Sequence, residues 1–165
     1  MKNHIIISLL FLSVGLSQNS QKMILNDDIQ NYLFSTQSVL KEYIIIQDDI
    51  FSPLQDTLDI KNYKSLSYSL KSINNTLIGN KNTFSNSKDI KLDTKEKVLV
   101  NVLDKYNDKL SKTILQLKLI CTKLNDLYSY PPNEYSKDMD TFQQLRDEYM
   151  NEGKFLNILL DDFLL

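Results

Sequence analysis

The sequence predicts an all-α protein: an antiparallel bundle of four main helices after a cleaved N-terminal signal peptide. Three observations carry that expectation. Apolar residues recur at alternating steps of three and four through four long stretches, the spacing of one helix face. Capping and turn residues separate those stretches, and no run alternates as a half-buried strand would. With 165 residues, 42% hydrophobic and 24% charged, the chain has the make-up of one ordinary globular domain. That domain is expected over 18–165, behind a secretory signal at 1–17.

The signal is read from Met1-Lys2-Asn3-His4 followed by a dozen mostly apolar residues, Ile5 to Leu16. A short basic start, an apolar run too short to span a bilayer and small residues at Gly15 and Ser17 fit cleavage before Gln18. Cleavage there leaves 148 residues with 18 basic and 21 acidic side chains, no histidine and one cysteine. The expected location is extracellular. Later apolar runs are short or interrupted, and Asp161-Asp162 breaks the apolar C-terminus, so no transmembrane or lipid anchor is expected after cleavage.

The first helix is expected from Met23, on a stripe of Leu25, Ile29, Tyr32, Thr36, Val39, Tyr43, Ile46 and Ile50. Leu33, Leu40, Ile44 and Ile45 widen it, as contact with more than one neighbour would require. Ser52-Pro53-Leu54-Gln55 reads as the cap of a second helix, with Leu54, Leu58, Tyr63, Leu66, Leu70, Ile73 and Leu77 on its face. A bend is expected near Ile60-Lys61-Asn62 and a stop at Gly79. Residues 79–92 are polar and aperiodic and read as the one long loop. Asp93-Thr94-Lys95-Glu96 is a capping box opening a third helix, whose stripe runs from Leu99 through Tyr106, Leu117, Ile120 and Leu124 to Leu127 before Pro131-Pro132. A fourth stretch uses Met139, Phe142, Leu145, Tyr149, Leu156 and Phe163, interrupted at Glu152-Gly153. Such heptad spacing also serves coiled coils, but the proline breaks favour a chain folded back on itself.

Little catalytic chemistry is available. His4 is the only histidine and lies in the signal, so His-based triads and zinc sites are not expected in the mature chain. Cys121 lies beside the Leu117/Ile120/Leu124 seam and reads as a buried structural thiol. Asp138-Met139-Asp140-Thr141 resembles a phosphotransferase motif in spacing alone, without the strand that motif needs. No calcium loop or glycine-rich phosphate cradle is present, so neither metal nor cofactor is expected. The lysines read as distributed beside acids along all helices, in a net negative chain, which speaks against nucleic-acid binding. Asn74-Asn75-Thr76 is a glycosylation sequon, with Asn74 the acceptor.

Signal, the segment Ile24-Leu25-Asn26-Asp27-Asp28-Ile29, then Leu54-Gln55-Asp56-Thr57-Leu58 to Ile73, a polar loop, and Val98-Leu99-Val100-Asn101-Val102-Leu103 through Leu127 follow one another in an order that resembles the fungal hydrophobic-surface-binding protein A and cell-wall galactomannoprotein family. The resemblance covers roughly residues 24–128 and lies in the order of pieces. It implies an extracellular or wall-associated helical protein that binds hydrophobic surfaces or acyl chains, and carries over no catalytic residue.

The leading expectation is therefore a secreted non-catalytic bundle binding an apolar ligand or surface of the acyl-chain or lipid class. A ligand between the helices would meet Tyr43, Ile46, Leu117, Ile120, Tyr149 and Leu156, each in core phase with a broad apolar neighbourhood. The alternative is a secreted protein-interaction or structural bundle with Tyr128, Tyr130 and Tyr135 as exposed anchors around the two prolines.

Overall fold

The computed structural model describes residues 25–52, 61–87, 91–126 and 129–163. They form four helices: α1 (Asp27–Phe51), α2 (Tyr63–Asn86), α3 (Thr94–Leu124) and α4 (Pro132–Asp161). Each starts where the local chemistry satisfies otherwise unpaired amides. Asn26 accepts from the Asp28 amide at 2.8 Å, and Asn62 from the Ser65 amide at 2.9 Å. Asp93 and Glu96 form the expected capping box. Pro132 occupies the first turn of α4, where a missing N–H costs nothing. The Glu96 carboxylate also accepts from the Asn26 amide at 3.0 Å, so one side chain ties the starts of α1 and α3 together.

Cross-helix pairs set directions and register. Tyr32 on α1 stacks on Phe84 near the end of α2, with ring centroids 4.9 Å apart. Ser67–Thr122 and Asn74–Ser111 join α2 to α3, and Lys109–Glu148 joins α3 to α4. Consecutive helices are thus antiparallel. α1 and α3 run parallel, and the contacts Asn26–Glu96, Tyr32–Asp104 and Thr36–Asn107 hold a sequence offset of 70, 72 and 71 residues. Among the described residues, α1 and α4 lack the close backbone approach found at the other seams. They meet instead through rings, Tyr43 with Tyr149 (6.2 Å) and Phe51 with Phe142 (5.7 Å).

The predicted stripes are the core. Ile29, Tyr43, Leu70, Leu77, Leu99, Leu103, Leu110, Leu117, Phe142 and Leu156 are all fully enclosed, joined by Ile114, which the predicted stripe left out. At a few kcal/mol per large apolar side chain removed from water, this shared interior is what holds otherwise marginal isolated helices.

Three boundaries differ from expectation. α2 does not stop at Gly79; it continues to Asn86, so most of the expected loop 79–92 is helix. Phe84 continues the Leu70/Leu77 phase and anchors those polar turns on Tyr32, and packing overrides weak local propensity. Ser52 closes α1, its amide donating to the Asp48 carbonyl at 2.8 Å, and α2 is capped by Asn62, while the expected start at Pro53-Leu54-Gln55 lies outside the described residues. The Lys61 ammonium donates to the Asp49 and Ile50 carbonyls at 2.6 and 2.8 Å, placing a cation at the negative end of the α1 dipole. α3 ends at Leu124, short of the expected Leu127, and α4 begins at Pro132, ahead of Met139, the first residue of the expected stripe. The signal at 1–17, Leu54, Leu58, Ile60, Leu127 and Tyr128 lie outside the described residues.

Gly153, read as an interruption, is buried inside α4 and makes room for a neighbour. A Cβ there would stand 3.1 Å from Tyr106 Cε2. The enclosed Tyr106 ring is itself held edge-on by Tyr149 at 5.9 Å and has little freedom to retreat. Gly79 has nothing within 4 Å of such a Cβ. Opposite outcomes follow: Gly79→Ala should stabilise by up to about 1 kcal/mol through helix propensity, whereas Gly153→Leu should cost about 1–3 kcal/mol through overpacking. Urea midpoints of the two variants against the parent check both signs.

Candidate functional site

The six residues nominated for an apolar ligand are five enclosed core side chains and the half-buried Ile46. The structure brings Tyr43 and Tyr149 into edge contact, and the Tyr43 hydroxyl donates to Gln47 Oε1 at 2.8 Å. The α1–α3 offset of about 71 residues puts Ile46 level with Leu117, and Ile120 lies almost one turn further on. Leu156 follows Tyr149 by seven residues, roughly 10 Å along the axis, in the opposite direction. The six therefore do not form one layer; they are strung over roughly 25 Å of the interior. Burial pushes the phenols of Tyr43 and Tyr106 well above the ordinary tyrosine value, as rings packed away from water require.

A surface groove of about 280 Å³ opens elsewhere, between the start of α1 and the end of α2. Asp28, Asn31 and Ser35 face Asn80, Thr83 and Ser87 across the stacked Tyr32–Phe84 pair. Behind it, the Tyr32 hydroxyl donates to Asp104 Oδ1 at 2.8 Å and accepts from Asn107 Nδ2 at 2.8 Å. Asn107 Nδ2 also donates to Thr36 Oγ1 at 3.0 Å, while its Oδ1 is buried without a partner. Burial first, then Asp104, pushes the Tyr32 phenol far above its ordinary value. The groove lining has one carboxylate, several amides and hydroxyls and no basic side chain. It suits a neutral or cationic polar group and repels an acyl carboxylate. No sequence signal marks it, since half of its wall lies in the stretch read as loop.

The tyrosines around the prolines divide. Tyr130 is only 8% exposed, so it is not an exposed anchor. Its hydroxyl donates to Asp138 Oδ2 at 2.8 Å, and its ring meets Tyr135 edge-on. Lys123 bonds Asp138 at 2.7 Å and also Glu134. Asp138, first residue of the phosphotransferase-like spacing, is thus a structural clamp between α3 and α4. The Lys123 ammonium, and secondarily the Tyr130 hydroxyl, hold its carboxyl below the usual carboxylate range.

Asn74 is 4% exposed, and its Oδ1 accepts from Ser111 at 2.7 Å. A glycan there would require the α2–α3 seam to open. Cys121 is buried, as expected, and burial pushes its thiol up to about 12, which makes it inert at neutral pH. Among the described residues no group of three or more His, Cys, Asp or Glu is placed to hold a metal ion, and no helix is long and apolar enough to cross a membrane.

The outer α2–α3 face carries exposed apolar side chains. Ser67–Thr122 and Asn74–Ser111 bracket about two turns of each helix. Tyr68 lies within that span on α2, and Leu115 and Leu119 lie within it on α3, with exposures of 63%, 45% and 41%. Leu115 follows Ser111 by four positions and Leu119 precedes Thr122 by three, so both border the seam on one side.

No family model, no curated protein and no solved structure matches the chain.

The clamp generates a pH prediction. A carboxyl depressed in the folded state adds stability above its unfolded value, near 4, and loses that contribution as pH falls through the lower folded value. Asp138→Asn should lower the urea midpoint at pH 7 and reduce the acid-induced fall between pH 5 and pH 2. A midpoint-versus-pH series on both proteins measures this. A parallel decline in the two proteins would show that the clamp adds no acid-labile stability.

Proposed function

We propose that this chain is an exported, non-catalytic helical bundle that binds an apolar surface through its outer helix faces. The observation that carries the reading is the cluster of Tyr68, Leu115 and Leu119, left exposed on one two-helix face while the stripes beneath it are fully enclosed. Apolar groups packed in the interior are already removed from water, so binding gains nothing further from them. Half-exposed leucines beside an exposed tyrosine still have that free energy to release, roughly 1 kcal/mol for each leucine covered. Extracellular or wall-associated placement belongs to the same proposal, supported by the apolar N-terminus that reads as a signal, and so does the lack of catalytic machinery. An interior acyl-chain site at Tyr43, Ile46, Leu117, Ile120, Tyr149 and Leu156 is the less favoured form, because it would have to displace the Tyr43–Tyr149 contact. The protein-binding alternative draws on the polar groove beside Tyr32 and Phe84 rather than on Tyr130.

The test is adsorption of the folded chain to octadecyl-coated, uncharged particles. Saturable uptake is expected, and Leu115→Ser with Leu119→Ser should weaken it roughly tenfold or more without loss of helicity. Leu117→Trp, in any variant that stays folded, should leave adsorption unchanged. Unaltered adsorption by the double serine variant would overturn the proposal, and loss of acyl-probe uptake in the tryptophan variant would move binding to the interior.

A further inference from the structure

Charge is sorted by helix, against the expectation of lysines distributed beside acids. α1 carries five acidic side chains (Asp27, Asp28, Glu42, Asp48, Asp49) and one lysine, Lys41. α4 carries seven acidic and three basic. α2 has three lysines and no acid, and α3 has seven lysines against three acids. Because α2 and α3 are packed neighbours, their surplus forms one positive side, opposite the acidic α1 and α4. The C-terminal half of α3, from Lys109 on, contains no acid at all.

The positive surplus surrounds the apolar cluster already described. Between the Ser67–Thr122 and Asn74–Ser111 bonds lie Lys71 on α2 and Lys112 and Lys118 on α3, with Lys64 one turn beyond Ser67. Lys64, Lys71 and Lys112 are exposed and Lys118 is half-buried. Among the described residues none of the four is in an ion pair, whereas Lys81, Lys109 and Lys123 are all paired with acids.

From this juxtaposition we infer that the α2–α3 face docks on an anionic lipid surface. Tyr68, Leu115 and Leu119 enter the headgroup boundary, and Lys64, Lys71, Lys112 and Lys118 contact acidic headgroups. The inference rests on the apolar-surface reading and adds the sign of the surface. Three features fit a bilayer interface. An amphipathic tyrosine and two leucines suit the boundary between headgroups and acyl chains. Lysines can lay their methylene stems along the apolar patch while the ammonium stays in water. The acidic α1 and α4 face away, so a negative surface attracts one side of the molecule and repels the other.

The test floats the full chain with vesicles of phosphatidylcholine alone and of phosphatidylcholine with 30% phosphatidylserine. Preferential binding to the anionic vesicles is expected, weakened by 0.5 M salt. Lys64→Gln with Lys71→Gln should lower partitioning roughly thirtyfold, at about 1 kcal/mol per lysine. Lys41→Gln with Lys154→Gln, exposed on α1 and α4, should change it little. Circular dichroism checks that the variants remain helical. Equal binding to both vesicle types that needs Leu115 and Leu119 but not the lysines would overturn the anionic inference and leave the apolar-surface reading intact. Binding to neither vesicle type and to no octadecyl particle would overturn both. Salt-sensitive self-association, or oligonucleotide capture without vesicle binding, would also overturn the inference by assigning the lysines to another partner.

Discussion

The gap between α1 and α4 is the constraint on which the rest of the bundle depends. The three consecutive pairs and the α1–α3 pair close by direct helix contact, but this seam is bridged by rings: Tyr43 edge-on to Tyr149, and Phe51 tilted against Phe142. Tyr149 in turn meets Tyr106, and Tyr106 fits because position 153 lacks a Cβ. One connected aromatic set thus couples α1, α3 and α4. Edge-on geometry sets the positive rim of one ring against the negative face of the next, worth about 0.5–1.5 kcal/mol per pair beyond area burial. The same rings fill the space that an interior ligand would need.

Polar contacts fix the register of that packing. Asn107 is buried between α1 and α3 and bonds both Tyr32 and Thr36, while Asp104 receives the Tyr32 hydroxyl. The unpartnered Asn107 Oδ1 has a desolvation cost of about 1–3 kcal/mol, so the amide is not there for stability alone. A one-turn slip of α1 along α3 would preserve most apolar contacts but would strand the phenol, the hydroxyl and the amide together. Glu96, holding the amides of Asn26 and Asp93, penalises the same slip at the helix starts.

Legibility in the sequence followed physical range. α3 was readable because its signals are local: a capping box at Asp93/Glu96 and a stripe that repeats with few breaks from Leu99 to Leu124. The end of α2 was not, because Asn80 to Asn86 has poor helix propensity and is held by the distant Tyr32–Phe84 stack. Gly153 and Gly79 carry opposite meanings that only a neighbour's position distinguishes. The nominated interior residues were legible as core by their phase. Nothing in phase separates a packed interior from a ligand chamber, and the Tyr32/Phe84 groove escapes a reading by phase because half of its wall lies in the 79–92 stretch read as loop. Charge sorting was written in the sequence throughout, but it becomes visible only when the counts are taken helix by helix.

The order of the helices gives that sorting its consequence. Along the chain the helix charges run acidic, basic, basic, acidic. In an up-down bundle consecutive helices are neighbours, so this order places the two basic helices side by side. An alternating order would have set every basic helix between acidic ones and neutralised it locally. Here neutralisation is concentrated at the α3–α4 boundary, where Lys109 meets Glu148 and Glu152, and Lys123 meets Glu134 and Asp138. These pairs draw on lysines at the α4 boundary, where the Lys112 charge also acts on Glu148, and leave Lys64, Lys71 and Lys118 outside any ion pair among the described residues. Exposed pairs of this kind add little to stability, commonly less than about 1 kcal/mol each. Their larger effect is on the field: they neutralise lysines at the α3–α4 seam, while Lys64 and Lys71 keep their charge on α2 beside Tyr68. Topology, more than net charge, therefore gives a chain with more acids than bases a side that is both lysine-rich and partly apolar.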